Sequence, residues 1–328
     1  MIGSKISKTH YYLPEKTISN DELEQLFPEW NSSKIEDKVG IRKRHIAAKN
    51  ESALDMGIKV SQCIITDEDR SSIDYVIFCT QSTEYFLPSG ACIIQDKLCL
   101  NKNIGAIDIN LGCSGYVYGL SLADSLIKSE HASKVLFITA ETYSKHIHPH
   151  DKSNLTIFGD AASATIIEKS DRTNIMKFVF GTDGSGFNKL IVKKGAFNLN
   201  NNLKDYETSE FPSEFLYMNG PDIFNFTINT VPKLVSNCLD KNKLVIDDID
   251  MFIFHQANKY ILNFLRKKIK IPKDKFYINM QETGNTVSST LPIALKQCLD
   301  NQIITEGQKV MLVGFGVGLS WAATIVEI

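Results

Sequence analysis

The sequence predicts an α/β protein made of two copies of one unit, because three segments recur in order at nearly one spacing. Asp74-Tyr-Val-Ile-Phe-Cys-Thr-Gln81 is matched 176 positions on by Asp250-Met-Phe-Ile-Phe-His-Gln256. Lys134-Val-Leu-Phe-Ile-Thr139 is matched 175 positions on by Lys309-Val-Met-Leu-Val-Gly314. Between them, Gly112-Cys113-Ser114 stands 172 positions before Gly284-Asn285-Thr286. Short, continuous apolar runs alternating with helical periods predict buried sheet strands connected by helices.

Each element follows from its local pattern. Ile104 to Ile109 reads as a strand and Ser114 to Ile127 as a helix, so Cys113 falls on the turn between them. Leu120, Ala123 and Leu126 mark that helix, and Leu291, Ala294, Leu295 and Cys298 mark its counterpart after Asn285. Met251 to Phe254 reads as a strand leading into His255, followed by a helix with the apolar stripe Ala257, Tyr260, Ile261, Phe264 and Leu265. The polar stretch Lys169 to Asn174 is the expected crossover between halves, and Lys194 to Pro212 an exposed excursion in the second half. Val310 to Val326 is nearly all apolar but short for a membrane span, and its three glycines predict two core strands and a tight turn.

Composition narrows the function classes. A chain of 328 residues, 43% hydrophobic and 23% charged, is an ordinary globular protein with room for two linked halves. A net charge of −2 gives no global pull toward nucleic acid or membrane. Seven cysteines without Cys-x-x-Cys spacing argue against a disulfide framework or a zinc site. The first ten residues carry no basic region followed by an apolar stretch, so the expectation is a reduced, cytosolic protein.

Cys113, His255 and Asn285 carry the chemistry. A cysteine at a helix N-terminus feels a partial positive charge that favours thiolate, and Gly112 and Gly115 let a substrate approach. The other cysteines (63, 79, 92, 99, 238 and 298) read as small buried hydrophobes. His255 at a strand-to-helix edge can hydrogen-bond into a cleft, though alone such a histidine is as often structural. Gly-Asn-Thr alone is ordinary turn chemistry. Together, a thiol, an imidazole and a carboxamide point to covalent catalysis with a stabilised anion. The same trio leaves a cysteine hydrolase open, and a non-enzymatic carrier-binding scaffold also. Gly314 to Gly318 resembles a phosphate loop, but a strand rather than a helix follows it, so a hairpin is expected. His146, His148 and His150 alternate, yet Pro149 intervenes and no acidic or cysteine partner lies at ligand spacing. Lys259, Arg266, Lys267, Lys268, Lys270, Lys273 and Lys275 form a basic stretch that could steer an acidic partner.

Seven motifs taken together resemble the β-ketoacyl-acyl carrier protein synthase III family. They are Cys113-Ser-Gly, His255-Gln-Ala-Asn258, Gly284-Asn-Thr286, Phe158-Gly-Asp160, Gly314-Phe-Gly-Val-Gly318, Tyr12-Leu-Pro-Glu15 and Gly40-Ile-Arg-Lys-Arg-His-Ile-Ala47. The resemblance implies the thiolase fold, with two βαβαβαββ halves (here 1–170 and 171–328) packed in α-β-α-β-α layers, and a cytoplasmic homodimer in fatty acid or related acyl biosynthesis. Cys113 would take an acyl group from acyl-CoA, with the backbone N–H groups of Cys113 and Val317 as oxyanion hole. His255 and Asn285 would hold the enolate formed when malonyl-acyl carrier protein loses carbon dioxide. Trp30, Lys38, Leu87, Lys152, Phe158, Asn258 and Gly316 would bind substrate, and Lys259, Arg266 and Lys267 would dock the carrier. No metal or redox cofactor is implied. A relative within the class would esterify a hydroxyl or amine from the same acyl-cysteine.

Some positions depart from the family pattern. Val317 replaces a common glycine, Leu87 stands where a phenylalanine lines the acyl pocket, and Tyr260 replaces a docking arginine. Lys38 and Lys152 replace arginines that grip CoA, and an insertion separates Trp30 from Gly40. Lysine meets phosphate as a point charge, without bidentate geometry.

Overall fold

The computed structural model describes residues 2–197 and 210–328 and contains two five-stranded sheets of one topology. The first runs Gly3–Tyr12, Ala161–Ser170, Lys134–Glu141, Tyr75–Cys79, Gly105–Ile109. Its neighbours pair antiparallel, antiparallel, parallel and parallel. The second runs Val179–Thr182, Ser320–Glu327, Lys309–Gly316, Met251–Phe254, Phe276–Tyr277, with the same succession. The segments that recur in the sequence occupy equivalent strands, as duplication requires.

Strands covered on both faces explain the unbroken apolar runs. In Tyr75–Cys79, Ile77 and Cys79 face a central cluster while Val76 and Phe78 face an outer one. The central cluster holds helices Gly115–Lys128 and Thr290–Asp300, through Leu120, Ala123, Leu291 and Leu295, against inner faces of both sheets. Helices Ala53–Ile64 and Gly90–Lys97 cover the outside of the first sheet, and Gly220–Asn242 and Lys259–Ile269 the outside of the second. The layers are therefore α-β-α-β-α, and the equivalent central helices start from the Cys113 and Asn285 turns.

The apolar Val310–Val326 stretch is the expected pair of strands, Lys309–Gly316 and Ser320–Glu327. Among the described residues no helix is long and apolar enough to cross a membrane. Helix Lys259–Ile269 is rotated from its expected stripe: it buries Ile261, Leu262 and Leu265, while Tyr260 and Phe264 lie on its rim against Phe224. Only Cys79, Cys113, Cys238 and Cys298 are buried; Cys63, Cys92 and Cys99 are exposed. Cys63 lies on the outer side of helix Ala53–Ile64, and Cys99 in the turn after Gly90–Lys97, where no second layer covers them. The excursion expected at 194–212 falls largely outside the described residues. Its flanks, Leu190–Val192 and Leu216–Met218, pair as an antiparallel ribbon.

Phe137, fully buried and stacked on Tyr116 at 5.4 Å, sits between the first sheet and the central helices. Phe137→Ala is expected to cost about 3–5 kcal/mol, and Leu26→Ala, at a side chain 66% exposed, less than about 0.5 kcal/mol. Urea denaturation of both variants checks the difference.

Candidate active site

Cys113 lies just before helix Gly115–Lys128, on a turn closed by the Gly115 N–H donating to Gly112 O at 2.8 Å. The end of strand Lys309–Gly316 runs against it. A methyl on Gly316 would fall 2.8 Å from Cys113 Cβ and 3.0 Å from Sγ, so only glycine fits. The Gly-x-Gly pattern is thus a close backbone approach, and a hairpin follows as expected. The backbone N–H groups of Cys113 and Val317 converge on the sulfur.

His255 follows strand Met251–Phe254 and is anchored by its N–H donating to Val313 O at 2.8 Å. Its Nδ1 lies 2.7 Å from Thr290 Oγ1, and the Thr290 hydroxyl donates to Val287 O at 3.0 Å. With that hydroxyl proton committed, Nδ1 carries the ring proton and Nε2 presents a lone pair. Nε2 faces Asn285 Nδ2 at 3.5 Å. Asn285 Oδ1 accepts the Val287 N–H at 2.9 Å, which turns the NH₂ end toward the cavity. The Asn285 backbone is pinned by its N–H donating to Ile157 O at 2.9 Å and its O accepting from Gly159 N–H at 3.0 Å. Val287 holds φ at 55° in this turn, a conformation costly for a β-branched residue.

These side chains share a cavity of about 140 Å³ with Phe158, Phe315 and Gly316. Ile157, Met218, Gly220 and Asn258 also border an outer hollow of about 490 Å³, where Trp30, Lys34 and Lys38 stand. A third hollow, lined by Gln81, Tyr143, His146, Leu216 and Val317, shares Leu190 with the cavity.

The electrostatics correct one expectation. Burial pushes the Cys113 thiol up to about 12, reinforced by the Glu141 carboxyl, and the two backbone N–H groups only partly oppose this. The resting residue is a thiol, because burial outweighs the two backbone donors. Burial drives His255 down to about 3, so its imidazole is neutral.

Other sequence candidates separate. Lys152 ion-pairs with Glu29 and lies over the Phe27 ring, so it does not line the outer hollow. Leu87 is 82% exposed and lines none of the three hollows. Lys259 and Lys267 are exposed, whereas the Arg266 guanidinium caps its own helix at Ile271 O, 3.2 Å away. His146 lies in a 3₁₀ turn rather than an extended segment, and His148 stacks on Phe211 at 4.5 Å. Among the described residues no cluster of three His, Cys, Asp or Glu side chains could hold a metal.

Three residues escaped the sequence reading. Arg44, in the Gly40–Ala47 motif, is fully buried and donates to Asn20 Oδ1 and Thr156 O at 2.8 Å each, bracing the loop before Phe158. Thr290 sets the His255 tautomer. Glu141 ends a mostly apolar strand whose last seven residues are buried, and an acid in that place was the signal available.

The layered fold and the Cys–His–Asn cavity define a thiolase-fold condensing enzyme, an acyltransferase. Residues 107–184 match the family described as 3-oxoacyl-[acyl-carrier-protein] synthase III, and residues 239–328 its C-terminal domain. β-Ketoacyl-[acyl-carrier-protein] synthase III of Clostridium tetani is 35% identical over 98% of each chain, and that of Fusobacterium nucleatum 34% over 97% of this chain and 96% of its own. A crystal structure of a 3-oxoacyl-(acyl-carrier-protein) synthase III superposes with a TM-score of 0.95 at 43% identity, covering 99% of this chain and 100% of the other. The chain belongs to the β-ketoacyl-acyl carrier protein synthase III family, whose members are condensing enzymes of fatty acid biosynthesis. Membership decides against the hydrolase and scaffold readings.

Because a side chain at position 316 would strike Cys113, Gly316→Ala is expected to lower condensing activity on the order of 100-fold with a cooperative melt retained. Steady-state turnover and a thermal scan check this.

Proposed function

We propose that Cys113 takes an acyl group from acyl-CoA and that the enzyme condenses it with malonyl-acyl carrier protein. The observation that carries this reading is the single cavity holding Cys113, His255 and Asn285, with the Cys113 and Val317 N–H groups aimed at the sulfur.

In the first step the Cys113 proton passes to His255 Nε2, and the sulfur attacks the acyl carbonyl. The Cys113 and Val317 N–H groups stabilise the oxyanion, and CoA leaves as a thiol after recovering that proton. In the second step the malonyl carboxylate departs as carbon dioxide, and its electron pair forms an enolate held by Asn285 Nδ2 and His255. The enolate carbon attacks the acyl carbonyl, and Cys113 leaves as a thiolate that takes one proton from solvent, balancing the negative charge the malonyl carboxylate brought in. His255 must then donate from Nε2. Rotation of the Thr290 hydroxyl from Val287 O to Nδ1 permits this by stabilising the other tautomer. The electron pair comes from the departing carboxylate, so no metal or redox cofactor enters the balance.

Trp30 and Lys38 stand in the outer hollow where an adenine ring and a phosphate would be met, with Asn258, Phe158 and Gly316 further in. Lys259 and Lys267 offer the carrier exposed positive charge, with Arg266 beside them. The halves 1–170 and 171–328 are the proposed domains, in a cytoplasmic enzyme. A second copy is proposed to pair along Gly105–Ile109, an open sheet edge, where Tyr85, Phe86 and Leu87 leave apolar surface. That contact would return Leu87 to the acyl pocket, across the subunit boundary.

After incubation with an acyl-CoA panel, intact mass is expected to show an acyl adduct on the wild type and none on Cys113→Ala. His255→Ala is expected to form the adduct more slowly, for want of the base, and to lose carbon dioxide release on adding malonyl-acyl carrier protein. An adduct persisting in Cys113→Ala refutes the reading. Sedimentation at twice the chain mass is expected for the dimer; a monomer at micromolar concentration refutes it.

A further inference from the structure

Glu141 is fully buried at the end of strand Lys134–Glu141, and the reaction above gives it no step. Its Oε2 accepts from the Ser82 hydroxyl at 2.9 Å and the Gln81 N–H at 3.1 Å, and its Oε1 from the Ser288 hydroxyl at 3.0 Å. Among the described residues no ion pair reaches it. The donors belong to two parts of the site, Gln81 and Ser82 to one and Ser288 to the other. Gln81 packs behind the nucleophile: a methyl on Gly112 would fall 2.5 Å from its Oε1, which also accepts from the Tyr143 hydroxyl at 2.8 Å. Ser82 Oγ further accepts the Thr142 N–H at 3.0 Å. Ser288 adjoins Val287, whose N–H orients the Asn285 carboxamide. One carboxyl therefore ties the wall behind Cys113 to the turn that presents Asn285.

We propose that Glu141 is a positioning residue that fixes the Asn285 turn against the Cys113 turn, and that Glu141 and Cys113 share one negative charge in the buried site, ionisation of either opposing the other. This rests on the roles given above to Cys113 and Asn285. Burial pushes Glu141 up to about 8, and its charge in turn raises Cys113, Cys79 and Tyr143. The other titratable groups facing the pair are Asp160, which acts on Glu141, and the neutral His255 of the cavity. Two adjacent carboxylate and thiolate charges without a cation are mutually destabilising, so their titrations are coupled.

The sign of the effect on stability follows. A carboxyl whose folded value lies above its unfolded 4.5 contributes stability that is fully present below pH 4.5 and lost as pH rises through about 8. Glu141→Gln keeps the shape and removes the charge. It is expected to flatten the decline in melting temperature between pH 4.5 and about 8 and to move the pH profile of Cys113 alkylation by iodoacetamide to lower pH, with a rate at pH 8 at least about threefold above wild type. The alkylation is followed by mass at the Cys113 peptide, because the exposed Cys63, Cys92 and Cys99 react as well. Glu141→Ala is expected to lower the kcat for carbon dioxide release about tenfold or more with KM little changed, since the Asn285 turn loses its anchor. A Glu141→Gln alkylation profile superimposable on wild type overturns the shared charge, and undiminished carbon dioxide release in Glu141→Ala overturns the positioning. Should the alanine variant fail to fold, Glu141→Leu, which keeps the bulk but removes both acceptors, decides in its place, wild-type kcat again overturning. Alkylation reads the thiol whatever the acyl donor, so failure of the condensing reading leaves this result interpretable.

Discussion

Backbone contact between the end of strand Lys309–Gly316 and the Cys113 turn is the constraint on which the site depends. Methyl groups on Gly314 and Gly316 would fall 2.9 Å from Ser114 Cα and 2.8 Å from Cys113 Cβ. With no side chain between them, the second half delivers the Val317 N–H to a sulfur carried by the first. The Ser114 and Ser320 hydroxyls meet at 2.7 Å beside this contact and hold the approach in register. Bulk here would separate the halves and dismantle the anion-binding geometry, with each half's own core left intact.

Apolar packing alone would not fix that register, because Leu, Val and Ile surfaces slide at small cost. The junction carries hydroxyls instead. Thr139 Oγ1 lies 2.8 Å from both Ser163 and Ser289 Oγ, and Ser288 reaches Glu141. Buried polar groups are expensive unless paired, so each such bond favours one alignment and penalises its neighbours. The Val287 to Thr290 segment does this twice over, locking the halves together and holding His255 and Asn285 at their cavity. Placement of catalytic groups and adhesion of the halves are one network.

Much of this was legible in the sequence because duplication leaves a register that can be read off. The Cys113 and Asn285 turns pair at one offset, which already implied equivalent positions in two copies of a sheet, and both central helices start there. Side-chain environment was less legible. The helix terminus at Cys113 was visible, but the burial that keeps the thiol protonated depends on Phe158, Leu190 and Val317, which are distant in sequence and near only in the fold. Thr290 and Glu141 were missed for a similar reason: a threonine among Thr-Val-Ser-Ser-Thr and an acid at a strand end have no periodic signature. Arg266 was read from charge alone, whereas its guanidinium completes its own helix end.

The resting site is close to electrically silent, and this bears on how it acts. Cys113 is held as a thiol and His255 as a neutral imidazole, both by burial. A preformed thiolate–imidazolium pair would need a cation beside it, and among the described residues no lysine or arginine lines the cavity. In the proposed acylation, charge arises with substrate, when an acyl carbonyl enters and the developing oxyanion takes up the N–H groups that the sulfur held at rest. On that proposal the same two donors serve the sulfur before the reaction and the oxygen during it. Low dielectric, which suppresses the thiolate in the empty site, strengthens those donors once negative charge reaches the oxygen. Burial then works against ionisation of the free enzyme and in favour of the transition state, so a hidden, weakly acidic cysteine is consistent with efficient acyl transfer.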